Sequence, residues 1–222
     1  VAVFEIKPPI VQVAIDVLNV DDALRIAEIA VRAGVDWLEA GTPLVTFCGT
    51  SVVGALSRAF PHMPILADYK TMDGARKYVL ETKAQGGHLS TVCAQAADAS
   101  IKIAVEAGRE SDVAIVCDLI AAPDVASRAA EVEAMGVDSV YIHWGSDQRT
   151  LDPERDPQKD LRAVAERIKV PIGIATFSVE DGVRAVRNGV GVAVIGFPLI
   201  GLPNVEDELR RYVDEVKAAY RG

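Results

Sequence analysis

The chain has 222 residues, half of them hydrophobic, a quarter charged and 5% aromatic, with 32 acidic against 23 basic side chains and a net charge of −9. That composition fits a folded globular protein and excludes a disordered one. An acidic chain without a basic run is repelled by phosphate backbones and anionic lipid, which argues against nucleic-acid or membrane partners. No apolar stretch approaches a membrane span, and the first residues (VAVFEIKPP) lack a signal-peptide pattern. Cys48, Cys93 and Cys117 have no metal-ligand spacing. A reduced, cytoplasmic setting is expected, with Cys93 and Cys117 as small buried hydrophobes.

Taken in chain order, short apolar or β-branched runs predict strands at 11–15, 37–38, 64–67, 89–93, 113–117, 139–142, 171–175 and 192–195. Segments with apolar residues at three- and four-residue spacing predict helices between them, at 21–33, 51–59, 74–84, 98–107, 125–135, 161–168, 179–187 and 205–220. In the first, Ala23, Leu24, Ala27, Ala30 and Val31 form one stripe, opposite Arg25, Glu28 and Arg32. Asp21, Ser51 and Asp124 are expected helix starts, and Asp98 an expected cap. Gly34, Gly136 and Gly189 are placed to end helices.

Eight strand–helix units of about 25–30 residues fit a parallel sheet covered by helices. An open doubly wound sheet is the alternative. No Gly-x-Gly-x-x-Gly follows the first strand, and no composition shift marks a second domain. The expected architecture is therefore a single-domain (β/α)8 barrel over residues 1–222. The polar stretch Gly145–Lys159 is the longest loop and is expected to be a mobile lid, with the charges of 152–160 solvated.

Barrel active sites lie at the C-terminal ends of the strands. Ionisable residues stand at five of them: Asp16, Glu39, Asp68 with Lys70, Asp118 and His143, with Asp73 starting the third helix. Clustered carboxylates are costly to bury without cations, and Lys70 neutralises only part of this set. The excess negative charge calls for a divalent metal, and hard oxygen ligands select Mg²⁺. His62 and His88 have no strand-end address and read as structural or surface residues. Trp144 is expected either to line the pocket or to pack.

The block Ala67-Asp68-Tyr69-Lys70-Thr71-Met72-Asp73 carries the pattern Asp-x-Lys-x-x-Asp. It resembles that of the orotidine 5′-monophosphate decarboxylase suprafamily. Within it, QVAID (12–16), LEAGTPL (38–44), ILADYKTMD (65–73), DASIKIAVEAG (98–108), VCDLIAAPD (116–124) and YIHWGSD (141–147) look most like the 3-hexulose-6-phosphate synthase branch, with the 3-keto-L-gulonate-6-phosphate decarboxylase branch as its near relative. The resemblance implies a homodimer of barrels in which Glu39 and Asp68 hold Mg²⁺ and the metal chelates vicinal oxygens of a sugar or sugar phosphate. Lys70 would stabilise an enediolate and His143 would move a proton. Asp16 and Asp118 would complete the catalytic group, and Asp73 would reach into the partner's site.

The same resemblance places the substrate's phosphate at the ends of strands seven and eight, on small residues and backbone N–H groups. Here those ends read Ile174-Ala175-Thr176-Phe177-Ser178 and Ile195-Gly196-Phe197-Pro198. Phe177 and Phe197 replace small residues, and Pro198 has no N–H. Asp16, Thr176, Ser178 and Gly196 remain the expected substrate-binding residues. Arg149 or Arg155 is placed to compensate. The altered end suggests enolate chemistry on a different, unphosphorylated substrate. Three readings follow: a Mg²⁺-dependent aldehyde-lyase, a β-keto sugar acid decarboxylase using the same residues, and a non-catalytic sugar-binding barrel.

Overall fold

The computed structural model describes residues 6–221. Eight strands alternate with helices: β1 (Ile10–Ile15), α1 (Val20–Ala33), β2 (Trp37–Ala40), α2 (Thr42–Cys48), α3 (Ser51–Ala59), β3 (Ile65–Thr71), α4 (Ala75–Ala84), β4 (Leu89–Cys93), α5 (Asp98–Ser111), β5 (Ala114–Asp118), α6 (Val125–Met135), β6 (Ser139–Ile142), α7 (Ser146–Leu151), α8 (Leu161–Ala165), β7 (Ile172–Thr176), α9 (Val179–Arg187), β8 (Val192–Ile195) and α10 (Val205–Ala219). Every strand pairs in parallel with its sequence neighbour, and β8 closes on β1 with Ile10 opposite Val192. The closed barrel is the expected architecture, not the open sheet.

Strand parity divides each strand between two layers. In β1, Val11, Val13 and Ile15 join the layer shared with the helices, while Ile10 and Ala14 join the barrel interior. The interior also takes Trp37, Leu66, Leu89, Ala114, Val116, Tyr141, Val192 and Val194. Leu38, Ile65, Ile115 and Ile174 are fully enclosed on the outer face, where each such side chain contributes about 2 kcal/mol of burial. Continuing the inward parity past the apolar layer leads to Asp16, Glu39, Asp68, Asp118 and His143. The rim therefore inherits its geometry from the core beneath it.

Several boundaries differ from the sequence reading. α1 starts at Val20, because Asn19, not Asp21, accepts the Asp22 N–H at 2.9 Å. α3 starts at Ser51 as expected, after Thr50, which makes no side-chain cap; α5 starts at Asp98, but Ala97 rather than Asp98 holds the cap position. Asp98 instead pairs with Arg128 at 2.9 Å. Asp124 caps α6 as expected, accepting from Ser127 N–H. The stretch 145–159 is not one loop: it holds α7 and enters a 3₁₀ turn over Pro157–Asp160. Its charges are partly tied down, Asp156 to Arg184 at 2.6 Å and Arg155 to Asp160 at 3.1 Å. Cys93 and Cys117 are buried, His62 is exposed, and the His88 ring accepts the Ile65 N–H at 3.3 Å. No helix among the described residues is long and apolar enough to cross a membrane.

Candidate active site

The inward residues at the C-terminal ends of the strands surround a cavity of about 390 Å³. Asp16, Glu39, Asp68, Lys70, Asp118 and His143 all line it, as does Gly196. At its centre the Lys70 ammonium is bound to Asp68, lies 3.5 Å from Asp118 and donates to Thr42 Oγ1 at 2.8 Å. Asp68 is held at both oxygens, by Thr91 Oγ1 at 2.8 Å and Thr42 Oγ1 at 2.6 Å.

A local departure from regular β structure puts Lys70 there. The β3–β4 register shifts between Ala67 and Thr71, and Lys70 has φ +44°. That left-handed conformation is disfavoured for a lysine and is a feature of constrained functional positions. The Lys70 N–H is satisfied in it by Thr91 Oγ1 at 2.8 Å. Simple alternation along an extended strand is thus not what brings Asp68 and Lys70 together.

The charges set one another's protonation. Burial lowers the Lys70 pKa, but Asp68, Asp118 and Glu39 outweigh it and raise the value, so Lys70 is a firm cation. Burial also opposes the charged form of His143, yet Asp118, 2.8 Å from Nδ1, raises its pKa overall. Asp118 is driven up by burial but held below the usual range by His143, Lys70 and the Ile120 N–H. Glu39 is raised well above the carboxylate range by burial, then by Asp68 and Asp16. Asp16 is raised by burial and Asp68.

Supporting residues absent from the sequence reading fix this ring. Tyr141 OH donates to Gln12 Oε1 at 2.7 Å, and Gln12 Nε2 donates to Glu39 Oε2 at 2.5 Å. This chain crosses the barrel interior, and a Cβ on Gly173 would overlap the Tyr141 ring. Likewise a Cβ on Gly41 would overlap the Asp16 carboxylate. Inward parity was the available signal, since Gln12 is four residues from Asp16 with Ala14 between them on the same face, and Tyr141 two from His143.

Two expected site residues sit outside the cavity wall, and a third, Thr176, lines it with its hydroxyl turned away. Thr176 is outward by parity, and its hydroxyl bonds Val194 O at 2.8 Å and Tyr212 OH at 2.6 Å, so only its strand position borders the cavity. Ser178 caps α9, accepting the Asp181 N–H at 3.1 Å, and does not line the cavity. Asp73 is exposed on the connection after β3 and is likewise outside the wall. Phe177, Phe197 and Trp144 do line it. Arg149 lies 3.8 Å over the Phe177 ring and Arg155 4.3 Å over Trp144.

Among the described residues no three His, Cys, Asp or Glu side chains converge as a ready-made metal cage. The donor chemistry nonetheless fits Mg²⁺. Glu39 and Asp68 are buried carboxylates with a single lysine between several negative charges. Mg²⁺ is commonly held by one or two carboxylates, with water and substrate oxygens completing its shell.

A charged, largely buried rim that pairs a fixed ammonium with a carboxylate-linked imidazole defines a lyase-type barrel able to stabilise a developing oxyanion. The model described as "Orotidine 5'-phosphate decarboxylase / HUMPS family" matches residues 9–212, and the chain belongs to that family. The 3-hexulose-6-phosphate synthase of Mycobacterium gastri is 37% identical over 199 residues, covering 86% of this chain and 91% of that protein. A crystal structure of 3-hexulose-6-phosphate synthase matches with a TM-score of 0.86 at 34% identity, covering 95% of this chain and 99% of the other. The 3-keto-L-gulonate-6-phosphate decarboxylase of Vibrio cholerae O1 shares the fold, with a TM-score of 0.82 over 96% of this chain and all of that one, at 20% identity. The reading of the chain as an enzyme, a carbon–carbon lyase of the synthase type, agrees with these relatives.

Proposed function

We propose that the chain joins formaldehyde to a five-carbon ketose through an enediolate, and runs the reverse aldol cleavage. The observation that carries this is Lys70, a buried ammonium held by Asp68 and Asp118 inside the cavity, beside the Asp118–His143 pair. The synthase relatives support the aldol reading over the decarboxylase, whose similarity extends to the fold alone.

Each residue's role follows from its environment. Lys70 stabilises negative charge on the ketose oxygens as the C1–H bond breaks, and its raised pKa keeps it from surrendering its proton. His143 has Nδ1 engaged by Asp118, which leaves Nε2 to carry the proton from C1 and return it to the oxygen of the formaldehyde unit once the new carbon–carbon bond has formed. Asp16, held up in pKa and clear of Lys70's direct contacts, orients substrate hydroxyls. Glu39 and Asp68 would hold Mg²⁺, which supplies positive charge at the sugar's vicinal oxygens. We further propose a homodimer in which Asp73 completes the partner's site; exposed Leu18, Phe47 and Met72 on the same rim support a covered surface there. Three free cysteines support a reduced, cytoplasmic setting.

The test is formaldehyde consumption by the purified protein with ketose and Mg²⁺. Chelation of the metal is expected to abolish turnover, and Lys70→Ala to lower kcat at least about 10²-fold. Release of CO₂ from a β-keto sugar acid without aldol activity would overturn the reading, as would an unimpaired Lys70→Ala protein.

A further inference from the structure

We propose that Gln12 and Tyr141 are positioning residues for the metal: a neutral hydrogen-bond chain from β6 through β1 holds the Glu39 carboxylate in the orientation that binds a divalent cation. The inference rests on the reading of Glu39 as a ligand of Mg²⁺ and extends it to two residues outside the ligand set.

The first argument is burial. Gln12 is fully enclosed, and Tyr141 and Glu39 are buried. Gln12 stands on the inward face of β1 between Ile10 and Ala14, level with Trp37 of β2 and Val194 of β8. These four neighbours all belong to the apolar interior. A primary amide in such a layer is destabilising unless it is hydrogen-bonded. Filling space alone calls for an aliphatic side chain there, as it does at the neighbouring positions.

The second is direction. Tyr141 OH donates to Gln12 Oε1 at 2.7 Å, and this turns the amide so that Nε2 donates to Glu39 Oε2 at 2.5 Å. With the amide reversed, its carbonyl oxygen would face a carboxylate oxygen, acceptor against acceptor. The phenol keeps its proton, because burial and then Glu39 raise its pKa well above the usual range. The ring in turn is confined by Gly173, its neighbour in β7, where a Cβ would overlap it.

The third is charge. A neutral donor orients a carboxylate without neutralising it. Asp68, the other expected ligand, is held in the same manner by the hydroxyls of Thr42 and Thr91. Lys70 pairs with Asp68 and Asp118, and among the described residues Glu39 forms no ion pair. Carboxylates that ligate metals are themselves hydrogen-bonded as a rule, and removing such a partner lowers metal affinity about 10- to 100-fold. Gln12 does not line the cavity, so it acts through Glu39 and not on a substrate.

The test is the binding of Mn²⁺ to metal-free protein without sugar, read from the EPR signal of the free ion. Mn²⁺ serves as the probe because it takes the same hard oxygen ligands as Mg²⁺. Tyr141→Phe and Gln12→Met, which nearly preserve side-chain volume, are compared with wild type and with the double variant. The dissociation constant is expected to rise about tenfold or more in each single variant. The double variant is expected to match Gln12→Met within about twofold, because Tyr141 acts through Gln12. Urea midpoints report stability separately. Variants that lose stability but bind Mn²⁺ as wild type does make the chain purely structural and overturn the proposal. Wild-type affinity in Tyr141→Phe, or additive losses in the double variant, overturns it too. If Gln12→Met does not fold, Tyr141→Phe decides alone. Glu39→Ala separates this inference from the reading beneath it. Loss of Mn²⁺ in Glu39→Ala with unchanged binding in the other variants overturns the positioning role alone. Wild-type affinity in Glu39→Ala, or a wild-type protein that binds no Mn²⁺, overturns the ligand assignment and the inference with it.

Discussion

At the scale of single residues, His143 and Asp118 form a pair whose contribution has a defined pH window. The His143 pKa is raised above 6.5 in the fold, against its burial, by Asp118. Its share of stability is therefore fully present below 6.5 and is lost as pH rises through the raised value. Asp118 is depressed below 3.8, despite burial, by His143 and Lys70. Its share is present above 3.8 and is lost as pH falls through the depressed value. Wild-type protein is expected to exceed His143→Gln in unfolding free energy by about 2 kcal/mol between those limits, with the gap closing on both sides. Urea titrations across pH 3–9 check this; a gap that is flat with pH would remove the ion pair. The strand-end address of His143, Asp118, Asp68 and Glu39 was legible in the sequence because inward parity continues from the apolar interior into the rim. The same parity placed Thr176 outward beside Ile172 and Ile174, but a hydroxyl at a strand end reads as a binding group until Tyr212 of α10 is seen against it. Gln12 and Tyr141 share the inward parity, but the bond between them, 129 residues apart in sequence, was not legible.

At the scale of elements, Ser178 offers a direct separation of a structural role from a binding one. Its Oγ accepts the Asp181 N–H at the start of α9, a cap whose removal costs about 1 kcal/mol. Ser178→Ala is expected to lose that stability in a denaturant melt while leaving KM for the ketose unchanged. A several-fold rise in KM at unchanged stability would return Ser178 to the substrate site. Gly41 makes the opposite case. Its φ of −64° is open to any residue, but a Cβ would overlap the Asp16 carboxylate. Gly41→Ala is expected to lower kcat/KM about tenfold or more by displacing Asp16, with α2 still formed by circular dichroism; unaltered kinetics would show that Asp16 is not needed where it stands. The helices of α/β units were legible from their 3.6-residue stripes. α2 was not, because Thr42-Pro43-Leu44-Val45-Thr46-Phe47-Cys48 is short, β-branched and enters through Pro43. α7 was hidden in a polar stretch with no buried face, since none of its residues is buried.

At the scale of the whole molecule, barrel closure was legible because eight similar units fill the chain, and the register of each strand on the next leaves no free edge. Closure also explains why Asp73 is apart from the residues it accompanies in sequence. Lys70 turns inward at the β3 bulge, while Asp73, three residues on, is exposed on the rim beside exposed Met72. If two barrels face each other through that rim, Lys70 of one protomer and Asp73 of the other serve one site. Lys70→Ala and Asp73→Ala proteins, each inactive alone, are then expected to regain activity when unfolded together and refolded as a mixture. Random pairing makes half the dimers mixed, and each mixed dimer holds one intact site of two, so recovery approaches roughly a quarter of the wild-type rate. Sedimentation of the wild-type protein as a monomer, or a mixture no more active than its parents, would place Asp73 outside the neighbouring site. Such a result would leave the cavity of a single barrel to carry the chemistry alone, because every other charged residue of the proposed machinery already lines it.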